Sequence, residues 1–301
     1  MVGTVTKIAV VGLGSMGFGM ATSLLESKIP TFGFDVNEEN TKRFVEHGGK
    51  SASLADIAPE LDALVVVVLN AAQTESVLFG KDGVVPLLKR GSLVMACATV
   101  PPGFAKDMAS RCSDYGVEYL DAPISGGAAK AARGELTIMA SGSASAFTKA
   151  GPILKAVSAK VFNLGDEAGP GSAMKAVNQL LAGVHIATMA EALTFGLTQG
   201  VSAEKFIEVI PECAGTSWML ENRAPHIAAG DYTPLSSVNI WPKDLGIVME
   251  IARASGFSAP LTEAALQQFL AAVELGLGGE DDAAVAKVYA KVAKITLPPK
   301  G

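Results

Sequence analysis

Residues Lys7–Val11 form a short β-branched run that leads straight into Gly12-Leu13-Gly14-Ser15-Met16-Gly17, and Met20–Leu25 behind it has the pattern of a helix. A strand, a glycine turn and a helix in that order leave few folds open. Gly12 permits a tight turn, Gly14 lets a pyrophosphate approach the backbone without meeting a Cβ, and Gly17 lets the helix pack closely on the strand. The helix N-terminus then faces the phosphates with free N–H groups and the positive end of its dipole. A second run, Thr31–Phe34, ends at Asp35, 18 residues beyond Gly17, where a carboxylate can accept hydrogen bonds from ribose hydroxyls. The expected dinucleotide site is therefore Gly12, Leu13, Gly14, Ser15, Met16 and Gly17 together with Asp35. Asp35 repels the extra phosphate of NADP, and Val36 and Asn37 bring no cation to offset it, so NAD is the expected cofactor. Lys42 and Arg43 fall on the following helix, where a solvated face is the simpler role.

The chain has 301 residues, enough for two domains. With 49% hydrophobic and 18% charged residues it has ample material for a core and too little charge for a disordered chain. A net charge of -6 leaves no basic footprint, so no nucleic-acid partner is expected. Cys97, Cys112 and Cys213 are few, odd in number and far apart, which fits small buried thiols rather than a disulfide framework or a metal site. His47 and His226 have no carboxylate or cysteine at metal-ligand spacing. No uninterrupted apolar run reaches the ~18 residues of a membrane span. A soluble, cytoplasmic protein without a membrane partner is expected.

Further apolar runs at Ala63–Leu69, Ser92–Ala96 and Val117–Leu120 suit strands buried on both faces of a parallel sheet. The expected fold is α/β: an N-terminal Rossmann-type doubly wound, mostly parallel sheet, followed by an all-α C-terminal domain joined by a long helix. Ligands gather at the carboxyl ends of such strands, which nominates Leu69, Asn70 and Thr99 as cofactor neighbours; capping of the next segment is an equal alternative for Asn70 and Thr99. Glu135–Ala140 and Lys160–Leu164 are expected to extend the same sheet. Gly165–Gly171, with Pro170, marks a change of composition, giving domains 1–165 and 166–301. Ser172 to about Gln199 forms one helix of roughly 42 Å, apolar around its circumference and suited to burial between domains or subunits. Helices are expected again at Ala203–Ile210, Lys243–Ala254, Thr262–Leu275 and Asp281–Ala293.

A dinucleotide fold alone names no reaction. In Asp121-Ala122-Pro123-Ile124-Ser125-Gly126-Gly127, Ser125 offers a hydroxyl, and Gly126 and Gly127 can present adjacent N–H groups to a carboxylate; a plain tight turn is the equal alternative. Lys175, Asn178 and Gln179 share one helical face. A lysine on an apolar helix facing a cleft has its ammonium form disfavoured and can accept a proton, whereas a first-turn lysine in isolation is simply solvated. Lys243, after Trp241-Pro242, is a third candidate, set against an exposed helix start in which Asp244 supplies a favourable N-terminal charge. His185 lies roughly 80° around the helix from Lys175 and falls outside that cluster. Trp218, Trp241 and Arg223 either line a pocket or anchor the core.

In this order the segments resemble the β-hydroxyacid dehydrogenase family over nearly the whole chain: the glycine loop, Asp121–Gly127, Gly169-Pro170-Gly171 through Lys175 and Asn178, and Lys243-Asp244-Leu245. The resemblance implies that Lys175 is the catalytic acid-base, that Ser125, Gly126 and Gly127 hold the substrate carboxylate, that Asn178 positions the substrate, with Gln179 beside it, and that Lys243 reaches the cofactor. It also implies an interface along the long helix, hence a homodimer or homotetramer. Two departures bear on the pocket. Leu69-Asn70-Ala71-Ala72-Gln73 lacks the proline that many members carry there, and Gln179 replaces a second asparagine. The stretches Asn70–Gln73, Gly126–Ala132, Gln179–Ala187 and Ser217–Arg223 look most like the branch that acts on L-threonate, so the resemblance implies L-threonate, oxidised at its 2-hydroxyl, and the extra amides suit a substrate with several hydroxyls. Reduction of a tartronate semialdehyde or glyoxylate-type oxo acid, and oxidation of 3-hydroxyisobutyrate, are the rival reactions. A dinucleotide-binding sensor is the non-enzymatic rival.

Overall fold

The computed structural model describes residues 7–299. The chain forms two compact units that divide at Lys175/Ala176. In the first unit the elements follow in the order β1 (Ile8–Val11), α1 (Ser15–Glu26), β2 (Thr31–Phe34), α2 (Glu38–Glu46), α3 (Leu54–Ile57), β3 (Ala63–Val66), α4 (Ala71–Phe79), β4 (Leu93–Ala96), α5 (Pro102–Asp114) and β5 (Glu118–Asp121). Then come β6 (Ile124–Ser125), α6 (Gly127–Ala132), β7 (Leu136–Ala140), α7 (Ala144–Val157) and β8 (Ser158–Asn163).

Five strands make a parallel sheet in the order β2-β1-β3-β4-β5. Each strand alternates between two cores: Ile8 and Val10 pack with Met20 and Leu24 on one side, while Ala9 and Val11 pack with Leu64, Val66 and Leu78 on the other. Burial of both faces explains why these strands read as unbroken apolar runs. The strand order reverses direction between β1 and β3, and that switch point is where open α/β sheets take their ligands.

The expectation that the later strands extend this sheet is corrected. β6, β7 and β8 form a separate three-stranded sheet, with β6 antiparallel and β8 parallel to β7. Past Asp121 the chain turns at Ala122-Pro123, and β6 then pairs with β7, so β7 does not add to β5. A single antiparallel bridge, Asp121 to Ser141, is the link between the sheets among the described residues. Apolar alternation marks a strand but leaves its neighbour unspecified.

The helix α8 (Pro170–Thr198) starts in the first unit and continues into the second, whose remaining helices are α9 (Ala203–Val209), α10 (Trp218–Ala229), α11 (Ile240–Ala254), α12 (Pro260–Glu274) and α13 (Ala286–Ala293). Length and composition alone would let α8 cross a membrane. Its Ile186, Met189, Ala190 and Leu193, spaced along one face, are instead core residues packed with Phe206, Leu220, Leu245 and Phe269.

α10 has no counterpart among the expected helices, which pass from Ile210 to Lys243 without one. Its caps are nonetheless legible: Ser217 Oγ accepts from Leu220 N at 3.1 Å, and Gly230 closes the helix at φ 62°. α11 begins at Ile240, earlier than expected, and Asp244 is buried at 3% exposure rather than an exposed N-terminal charge. Cys97 and Cys112 are buried, but Cys213 is exposed.

Candidate active site

The glycine loop is shaped by close approach. Gly12 has φ 95°, and a Cβ on it would lie 2.2 Å from the Val67 carbonyl oxygen; a Cβ on Gly17 would lie 1.8 Å from the Gly12 oxygen. Neither position admits a side chain. Gly14 differs: nothing lies within 4 Å of where its Cβ would be. Open space in front of the N–H groups that start α1 is what a phosphate requires. Asp35, at the end of β2, accepts from Leu13 N at 2.6 Å through one oxygen and from Asn37 N at 2.8 Å through the other. Its carboxylate is thus tied to the glycine loop, and the adjoining Val36 is fully exposed.

At the end of β3, Asn70 Oδ1 accepts from Gln73 N and Gln73 Oε1 accepts from Leu69 N, each at 2.9 Å. This reciprocal arrangement caps α4 and fixes the path of Leu69, which is 62% exposed. Thr99, beyond β4, is half-buried.

After β5 the backbone passes Ser125, half-buried, into Gly126 at φ 138° and Gly127 at φ 75°. A side chain at either glycine would be strained.

Asp121, not singled out from the sequence, ends β5 and is buried at 1% exposure. Its Oδ2 accepts from Ser172 N at 2.8 Å, Gly169 N at 3.0 Å and Ser141 Oγ at 3.4 Å, and its Oδ1 from Ser172 Oγ at 2.7 Å. Burial pushes this carboxyl above its ordinary range, and the hydrogen bonds from Ser172, Gly169 and Ser141 oppose that shift. The carboxylate thereby pins the first turn of α8. Lys175, one turn further on, is 8% exposed. The signal in the sequence was an acid at a strand end followed, far downstream, by a Gly-Pro-Gly-Ser helix start; only folding joins the two.

In the second unit, Gln179 Nε2 donates to Asp244 Oδ2 at 2.5 Å, and Asn178 Nδ2 donates to Gln179 Oε1 at 2.9 Å. Lys243 Nζ lies 2.7 Å from Asp244 Oδ1. α8 and α11 come close because Gly183 has no side chain: a Cβ there would sit 2.7 Å from Leu245 Cδ2 and 2.9 Å from Trp241 Cε3. Trp241 stacks on Phe269 and donates from Nε1 to Asp282 Oδ2 at 3.0 Å, while Arg223 Nε donates to Asp282 Oδ1 at 2.5 Å. Trp241 and Arg223 are therefore core anchors in this unit, whereas Trp218 is 57% exposed. His226 Nδ1 lies 3.0 Å from Asp281 Oδ1. Among the described residues no cluster of His, Cys, Asp and Glu is arranged to hold a metal ion.

A parallel sheet with an open glycine turn at its switch point, an acid on the second strand and an all-helical second unit define a nicotinamide-dependent dehydrogenase. Residues 7–165 match the NAD binding domain of 6-phosphogluconate dehydrogenase, and residues 169–289 match the domain described as NAD-binding of NADP-dependent 3-hydroxyisobutyrate dehydrogenase. The chain belongs to the NAD-dependent β-hydroxyacid dehydrogenase family, among the enzymes similar to 3-hydroxyisobutyrate dehydrogenase. It is 50% identical over 284 residues to the L-threonate dehydrogenase of Cupriavidus necator, covering 94% of this chain and 96% of that relative. Its identity to the L-threonate dehydrogenase of Escherichia coli K12 is 46% over 298 residues, covering 98% of each. The crystal structure of 3-hydroxyisobutyrate dehydrogenase from Salmonella typhimurium is similar with a TM-score of 0.88 at 45% identity, over 94% of this chain and 99% of that one.

Proposed function

We propose that the enzyme oxidises L-threonate at its 2-hydroxyl to the corresponding 2-oxo acid. Glycine-loop N–H groups hold the pyrophosphate, Asp35 the adenosine ribose, and Leu69, Asn70, Thr99 and Lys243 complete the cofactor site. When bound, NAD supplies the acceptor for the hydride that leaves the carbinol carbon. Ser125 and the N–H groups of Gly126 and Gly127 hold the substrate carboxylate. Asn178 and Gln179 orient the hydroxyl-bearing carbons, and Lys175 Nζ takes the proton as the O–H bond opens to a carbonyl.

The observation that carries this reading is the burial of Lys175 on a helix whose first turn is pinned by Asp121, which shortly precedes the positive-φ Gly126-Gly127 turn in the sequence of the same unit. The 45–50% identity to L-threonate dehydrogenases supports the substrate. A 3-hydroxyisobutyrate reading draws on the similar Salmonella typhimurium structure. The test is formation of reduced cofactor with NAD or NADP and a panel of L-threonate, D-threonate, D-erythronate, 3-hydroxyisobutyrate, glycerate and 4-hydroxybutyrate. The highest kcat/KM is expected for L-threonate with NAD; a higher value for 3-hydroxyisobutyrate overturns the substrate, and preference for NADP overturns the role of Asp35.

A homodimer or homotetramer in the cytoplasm completes the proposal. Met174, Val177, Leu181 and Phe195 are exposed apolar residues along α8, and a second copy is the natural cover for them. Sedimentation that gives a monomer at micromolar concentration would exclude it.

A further inference from the structure

Among the described residues, one half-buried lysine stands apart from the rest. Lys7, Lys149, Lys243 and Lys287 each face a carboxylate, of Glu60, Glu118, Asp244 and Glu280 in turn. Lys130, also half-buried, makes no hydrogen bond or ion pair through its side chain with the described residues. Glu135, the nearest acid along the chain, is taken by Arg133 at 2.8 Å. Lys130 lies on α6, four residues past Gly126, a spacing that lays a side chain back over the start of its helix. A Cβ on Gly126 would sit 3.0 Å from Lys130 Cδ and 3.1 Å from Lys130 Cβ, so the methylene stem runs along that glycine and the ammonium follows two bonds beyond Cδ. Ala128, Ala129, Ala131 and Ala132 around it add no competing charge. A cation drawn part-way out of water without a counter-charge is costly, and an anion received at Ser125, Gly126 and Gly127 would supply one.

We propose that Lys130 is a specificity-determining residue: its ammonium is the counter-charge of the substrate carboxylate, so that the site takes hydroxy acids as anions and not the corresponding uncharged esters. The inference rests on the proposed role of Ser125, Gly126 and Gly127 in holding that carboxylate. It adds the formal charge that a hydroxyl and backbone N–H groups lack. Such an attraction acts on the bound substrate throughout the reaction and is screened by salt, so it is read in KM and fades as ionic strength rises.

Lys130→Arg, Lys130→Met and Lys130→Glu keep, remove and reverse the charge at one position, and are compared on the hydroxy acid that the wild type oxidises fastest. At low salt, KM should stay within about threefold of wild type in Lys130→Arg, rise about tenfold in Lys130→Met and rise about a hundredfold in Lys130→Glu. Values of kcat should stay within about threefold, with NADH affinity unchanged. Added sodium chloride should raise the wild-type KM and leave that of Lys130→Met nearly unchanged. Lys130→Gln stands in for Lys130→Met where the apolar tip disturbs folding. Equal rises in the neutral and charge-reversed variants mean that the stem only packs, and overturn the proposal. An unchanged KM in the neutral variant, or a loss confined to kcat or NADH affinity, overturns it too. Failure of the wild type to oxidise any hydroxy acid is read first and defeats the proposed function together with this inference, whereas a flat charge series in an active enzyme defeats the inference alone.

Discussion

Two buried carboxylates meet α8, Asp121 at its first turn and Asp244 beside Gln179, and their partners differ in kind. Asp121 collects backbone N–H groups from Gly169 and Ser172 and hydroxyls from Ser172 and Ser141. Asp244 collects the amide of Gln179 and the ammonium of Lys243, the ends of longer side chains. Fixing backbone donors decides where a helix begins. Fixing side-chain ends decides which atoms a site presents. Buried acids in one protein therefore divide between holding the frame and setting the chemistry, and the type of donor tells them apart.

Substitutions can break that division. The largest effect on turnover is expected at Lys175, which lies between the two on α8: Lys175→Ala should lower kcat by about a thousandfold, within the range for loss of a general acid-base, and leave urea unfolding unchanged. Near-wild-type turnover would remove the lysine from the chemistry. Next, Asp121→Ala should cost about 3–5 kcal/mol in unfolding free energy, because it leaves several buried donors without an acceptor. A loss below 1 kcal/mol would mean that the helix start is held by something else.

The same carboxyl sharpens the comparison through pH. Because its folded value is raised above the ordinary 3.8, the folded chain holds that proton more tightly than the unfolded chain. Its contribution is therefore most favourable below that value and declines as pH rises through the window between it and the raised folded value. Unfolding free energies of wild type minus Asp121→Asn should fall across that window; a rise would show that the hydrogen bonds outweigh burial. The smallest effect is expected at the more exposed end of the cofactor site, where Asp35→Ala should reduce the preference for NAD over NADP by about tenfold, or ~1.4 kcal/mol, measured as a ratio of kcat/KM values.

Much of the first unit was open to reading because its signals are local. The strand, glycine turn, helix and acid of residues 7–35 lie within one βαβ unit, and Gly12 and Gly17 answer contacts from Val67, just past β3, and from Gly12 itself, while Gly14 faces open space. The second sheet escaped because strand periodicity is silent about partners: β7 and β8 have the expected character and sit in a different sheet. α10, which carries Pro225 inside it, was not expected, and its ends are closed by Ser217 and Gly230.

Spacing along α8 was enough to place Lys175, Asn178 and Gln179 on one face, since 3.6 residues per turn is a property of the backbone. Which groups meet them was not available from spacing. Gln179 meets Asp244, 65 residues away along the chain. Asp121 and Ser172, 51 residues apart, make the same point at the helix start. Residue type and periodicity act over a few bonds and are written in the chain itself; burial and hydrogen-bond partners exist only after distant segments have packed.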